Sequence, residues 1–117
     1  MRKITEQAVD AFVNNYRFSS GNTKVVASGA ETAEWMLFLH NNLIAEKDVQ
    51  NNILRIYDGG WESVTTKERL NGLLSRMAPD YGIIQRDHVW YLVDNKGMMQ
   101  EWTGRAKFHA GQYKGNA

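Results

Sequence analysis

"GGWESVTTKERLNGLLSRMAPD", residues 59–80, is the stretch whose reading decides the fold. Leu70, Leu73, Leu74 and Met77 recur at i, i+3, i+4 and i+7, one apolar stripe on a helix. Thr65 and Glu68 make the pattern T-x-x-E, in which the hydroxyl serves one free backbone N–H and the carboxylate reaches back to another. Pro79 disfavours helical backbone at Ala78 and ends the element. The spacing therefore predicts a helix over 65–77, with its leucines laid on a sheet. At about 100° per residue, Arg69 and Arg76 share one flank of the stripe with Gly72 between them, and Lys67 falls on the other. These cations are predicted to face outward, where a helical arginine beside a glycine leaves room for a phosphate or carboxylate.

Working outward, Ile4, Ala8, Ala11 and Phe12 repeat the helical spacing in residues 4–17, with Val9, Val13 and Tyr16 widening the stripe. "SSGN" at 19–22 ends that helix, and "TKVVAS" at 23–28 reads as a strand from its β-branched residues. Trp35, Leu37 and Leu39 then alternate with Met36, Phe38 and His40. Asn41-Asn42 tolerate the positive φ of a tight hairpin, so 43–47 returns as the partner strand. "VQNN" turns the chain again into "ILRIYD" at 53–58. Beyond the second helix, "YGIIQRDHVWYLVD" at 81–94 is a hairpin turning at Asp87-His88, followed by one more short strand near 98–102. Residues 104–117 carry Arg105, Lys107 and Lys114 without an acid, and read as a basic, loosely ordered tail. The expectation is a single α+β domain over residues 1–103, order α-ββββ-α-ββ. Its antiparallel, curved sheet of about five to seven short strands carries both helices on one face.

The chain has 117 residues, enough for one core without staples. It lacks cysteine, which removes disulfides, thiolate metal sites and cysteine nucleophiles, and fits a reducing compartment. Fourteen basic side chains oppose thirteen acidic ones. A phosphate-binding role thus needs a local patch rather than bulk charge. No apolar run approaches a membrane span, and "MRKITEQAVD" lacks the apolar segment of a signal peptide, so a cytoplasmic location is expected.

Catalytic chemistry finds little support. His40, His88 and His109 have no partner at a ligand spacing. The serines lack a nucleophile elbow, and neither "GG" at 59–60 nor "SGNTK" at 20–24 matches a phosphate cradle. Asp58 with Glu62 is the only carboxylate pair suggested, and Asp87, His88 and Asp58 are the only candidates for an unrecognised active site. No catalytic residue, metal or cofactor is therefore assigned. Trp35 and Trp90 belong to strand patterns and the core. Trp61, after a diglycine, is either a plug over one end of the core or an interface anchor, and Trp102 lies close to the tail. Arg105, Lys107, Phe108, Tyr113 and Lys114 combine positive charge with stackable rings, the composition used on single-stranded nucleic acid.

The order of "GNTKV" (21–25), "LFLHNNLIAEK" (37–47), "GWESVTTKERLNGLL" (60–74) and "IIQRDHVWYLV" (83–93) resembles a group of small, mostly uncharacterised proteins of tailed bacteriophages. Trp61 with Thr65, Thr66, Lys67, Arg69, Leu70 and Asn71, then Trp90-Tyr91-Leu92, carry the resemblance, which spans residues 4–93. It implies no reaction. It implies a viral accessory protein acting in the infected host's cytoplasm, by binding a host protein or a nucleoprotein defence complex. The expected contacts are Trp61, Lys67, Arg69, Arg76, Trp102, Arg105, Lys107, Phe108, Tyr113 and Lys114. A direct nucleic-acid-binding module is the alternative, although no lysine cluster opens the second helix as a duplex-RNA reader would want. A small enzyme is the third.

Overall fold

Two amphipathic helices cover one face of an antiparallel sheet, and the chain then builds a second sheet. The computed structural model describes residues 2–28 and 34–109. Helix α1 (Lys3–Asn14) buries Thr5, Ala8, Val9, Ala11 and Phe12. It ends earlier than the apolar spacing predicts, because Asn15 takes the left-handed conformation (φ 63°) and returns its N–H to Ala11. Tyr16 is left exposed, its hydroxyl donating to Asp10 Oδ2 at 2.6 Å.

"SSGN" does more than end a helix. Phe18–Ser20 form a short strand, β1, and Gly21 (φ 55°) turns it into β2 (Thr23–Ser28). β3 (Glu34–Leu39) and β4 (Asn42–Asp48) follow as a hairpin. Its turn lies one residue upstream of the expected pair, on His40 and Asn41 with φ of 51° and 65°. A register shift at Leu37/Phe38 absorbs the difference. β5 (Ile53–Tyr57) pairs with β4. Helix α2 (Val64–Met77) then crosses to β6 (Tyr81–Arg86) and β7 (Val89–Asp94), joined at Asp87-His88, both at positive φ as the hairpin reading requires. β8 (Met99–Glu101) adds to β7.

Residues 105–109, which the sequence assigns to a loose tail, form β9 (Arg105–His109), paired antiparallel along the whole of β5. Tyr113 and Lys114 lie outside the described residues. The described residues are thus α+β with two helices and nine strands, in one sheet of order β1-β2-β3-β4-β5-β9 and another of order β6-β7-β8. A single sheet of five to seven strands underestimates it.

The core lies between the helices and the inner face of the large sheet. Phe12, Leu70, Leu73 and Leu74 meet Val25, Leu37, Ile44, Leu54, Ile56 and Phe108, each at most 2% exposed. Fully burying such a side chain is worth about 1.5–3 kcal/mol, so this stripe dominates the stability of α2. The small sheet joins through rings. Tyr81 packs on Phe108 with centroids 5.0 Å apart, and Trp90 on Trp102 at 6.2 Å. Asn71 attaches α2 to β6 by mimicking a strand partner, since its amide donates to Ile83 O at 2.9 Å and accepts from Ile83 N at 2.8 Å. Lys47 projects from β4 into the core, donating to Val13 O at 3.0 Å near the end of α1. That carbonyl would otherwise lack a partner.

Candidate functional site

The first turn of α2 is capped differently from the T-x-x-E expectation. Ser63 is the N-cap, its hydroxyl accepting from Thr66 N at 3.0 Å. Glu68 faces α1 instead. Its Oε1 accepts from Thr5 Oγ1 at 2.6 Å, Arg2 Nε at 2.8 Å and Arg69 Nη1 at 3.0 Å. Burial alone would raise the Glu68 pKa, but the bonds from Thr5 and Arg2 outweigh it and hold the carboxyl below its ordinary value.

Arg69 overturns the expected helical contact surface. It is 1% exposed, lodged between the helices and β2. Nη1 donates to Thr5 Oγ1 and Glu68, while Nε and Nη2 donate to Thr23 Oγ1 at 3.4 and 3.3 Å. The guanidinium is a satisfied internal cation, not a ligand for a partner. Arg76 is exposed but lies 3.7 Å from Asp10. Lys67 Nζ donates to Gln85 Oε1 at 3.1 Å, a link between α2 and β6.

Trp102 and Phe108 also leave the list of contact residues. Trp102 is 7% exposed and donates Nε1 to Asp58 Oδ2 at 3.0 Å. Phe108, opposite Leu54 on the inner face, is core. Trp61 is the reverse case. It is 70% exposed, so it plugs nothing, and Val64 one turn on is 76% exposed.

Arg105 and Lys107 keep their predicted accessibility but occupy a sheet, not a tail. Alternation sends Ala106 and Phe108 inward and Arg105, Lys107 and His109 outward. On β5 the outward set is Ile53, Arg55 and Tyr57, directly opposite His109, Lys107 and Arg105. Three cations thus occupy two adjacent strands, and none makes an ion pair within 4 Å among the described residues, although Glu46 and Asp48 of β4 share the face, Glu46 directly opposite Arg55. An open groove of about 360 Å³ runs past Arg55, Tyr57, Thr103, Arg105 and Lys107.

Across β4, Tyr57 donates its hydroxyl to Glu46 Oε1, and burial together with that carboxylate pushes the phenol up to about 12. Further along the same face, Lys24 Nζ sits 5.6 Å from the centre of the Phe38 ring. Every outward position from Lys24 to His109 is partly or fully exposed, and among the described residues no element lies over this face. Arg55, Tyr57, Phe38 and Lys24 are absent from the predicted contacts, although the alternation in "ILRIYD" and "LFL" already separates the first three from the inward leucines, and that in "TKVVAS" separates Lys24 from Val25.

A pocket of about 420 Å³ opens where β5 runs into α2, bounded by Leu39, Ile44, His40, Asp58, Trp61 and Thr65 among others. Asp58 organises its rim. Oδ1 accepts from Gly60 N at 2.8 Å, Oδ2 from Trp102 Nε1, and the Asp58 N–H donates to Gly104 O at 3.1 Å. Gly59 adopts a left-handed φ of 69° that strains a residue with a side chain, and a Cβ there would also press on Asn42 at 3.2 Å. Of the enzyme candidates, Asp87 and His88 form the exposed β6–β7 turn, whereas Asp58 is in this pocket. Among the described residues no three His, Asp or Glu side chains gather in a metal-binding group.

Fold and surface define a small antiparallel α+β domain that leaves one broad sheet face uncovered and puts an aromatic-lipped pocket at its end. The chain belongs to the Kyanoviridae Gp96 protein family, a phage family, which it matches over residues 1–111. No curated protein and no solved structure matches it. None of the described helices is long and apolar enough to cross a membrane.

Proposed function

We propose that this phage protein works by binding rather than by chemistry, and that its outer sheet face takes single-stranded nucleic acid, free or displayed by a host nucleoprotein complex. The observation that carries the reading is the Arg55, Arg105 and Lys107 array beside Tyr57, with Phe38 and Lys24 further across the face. A flat, uncovered sheet offers rings to unstacked bases while flanking cations hold the phosphates. No described helix stands on this face to enter a groove of a duplex, so a single strand suits it better. Such a local patch is consistent with a net charge of only +1.

A second reading, a protein partner, is favoured by one observation. Trp61, just before α2, and Val64, its first residue, are both exposed, and an exposed tryptophan is a frequent interface anchor. The two readings separate in a mobility assay with single strands and duplex of the same sequence. The first expects retardation of the single strand that weakens as salt rises. No retardation at low salt would remove it and leave the Trp61 surface as the binding element.

A further inference from the structure

Resting on that reading, we propose that the Trp61 pocket receives one unpaired base of the bound strand, and that the base it suits is guanine. Tyr57 lies on the basic face, and the next residue, Asp58, lines the pocket. The pocket's floor residues, Leu39 and Ile44, belong to the inner side of the sheet, so a strand running along β5 past Arg105 and Tyr57 must turn over the end of β5, at Asp58, to place one base in the pocket.

The pocket has the parts a base needs. Its volume, about 420 Å³, admits a purine, and Leu39 and Ile44 give an apolar floor. The Trp61 ring is held at the lip by the turn in which Trp61 N donates to Asp58 O at 3.1 Å, and it is free to stack because it is 70% exposed. The other three tryptophans are at most 7% exposed. Among the described residues no Lys or Arg lines the pocket, so a base fits it better than a phosphate does.

Asp58 selects among bases. Each carboxylate oxygen already accepts one hydrogen bond and has a lone pair left. A carboxylate can only accept, so it favours an edge with two adjacent donors. Guanine offers N1–H and the N2 amine side by side. Adenine and cytosine set a ring acceptor beside their amine, and thymine or uracil flanks its single N–H with carbonyls.

The test measures anisotropy of a labelled oligothymidylate and of the same strand carrying one central guanine, adenine or cytosine. A single guanine is expected to tighten binding about tenfold, the scale of one good bidentate base contact. Asp58→Asn and Trp61→Ala should each abolish that preference, with oligothymidylate still bound in both but more weakly in Trp61→Ala, which loses the stacking ring. Asp58 also accepts from Trp102, so Trp61→Ala carries the test should Asp58→Asn fold poorly. Equal affinity for all four strands, or a guanine preference that survives Trp61→Ala, overturns the inference while the nucleic-acid reading stands. If no strand binds, that reading fails, and tryptophan fluorescence titrated with free guanosine against adenosine decides the pocket separately. Quenching by guanosine that Trp61→Phe removes supports the site, and no quenching overturns it.

Discussion

Arg69 is enclosed by Thr5, Thr23 and Glu68, and its positive charge is balanced by a carboxylate that also ties down Arg2. Truncating Arg69 empties a buried site and takes the donors from Thr5 and Thr23, while Glu68, a quarter exposed, keeps Arg2 and Thr5. The cost is about 3 kcal/mol, the low end for breaking a buried pair. Arg69→Ala should therefore lower the denaturation midpoint in urea sharply, and Arg76→Ala, whose ion pair is exposed, should scarcely move it. Equal effects would contradict the internal placement. The sequence places both arginines on one flank of α2, which is correct in angle. It does not reveal that α1 and β2 arrive on that flank with two threonines, because that contact joins residues 46 and 64 positions apart. The sequence leaves Trp61 as either a cover for the core or an interface anchor, and only the packed structure, with the core already closed, shows its ring exposed.

At the scale of elements, α2 was legible almost to the residue, since its leucine stripe and Pro79 are local signals. Its cap was not. Ser63 precedes Thr65 by two positions, and either hydroxyl could have served. Ser63→Ala should destabilise by about 0.5–2 kcal/mol. Thr65→Ala, which loses only a bond from Arg2 at 3.1 Å, should cost much less in the same melt. The reverse order would restore the T-x-x-E cap. Strand β9 was missed because glycines and basic residues in 104–117 outweighed a five-residue alternation with Ala106 and Phe108 on one side. Once Phe108 is seen in the core, the same alternation turns Arg105 and Lys107 from a charged tail into a fixed row facing Arg55.

Across the whole molecule, the antiparallel α+β class was readable from hairpin signals and two helical periods. The division into two sheets was not, because it depends on Trp102 bonding Asp58 and on the Tyr81–Phe108 contact, neither of which leaves a periodic mark. Stability should follow pH through two groups, the core-facing Lys47 and the half-buried Tyr57. Burial lowers Lys47 from 10.5 to about 8, so above that value the unfolded chain holds a proton the folded one has released, and stability rises with pH toward 10.5. Tyr57 is raised from 10.0 to about 12, so between those values the folded state keeps the proton and stability falls. Thermal melts should give a maximum near the crossover of the two windows. Lys47→Met should flatten the rising limb, and a limb unchanged in that variant would show that Lys47 is not the cause.

The central claim concerns Arg55, Arg105 and Lys107 as one phosphate-binding row. Its most direct measurement is the salt dependence of single-strand binding by the native protein and by Arg105→Glu/Lys107→Glu, two exposed changes on β9. Three phosphate contacts predict a slope of about −2 in log K against log salt for the native chain. The double variant should bind far more weakly, with a shallower slope and an unchanged melting temperature. Native-like affinity and slope in the variant would contradict the account.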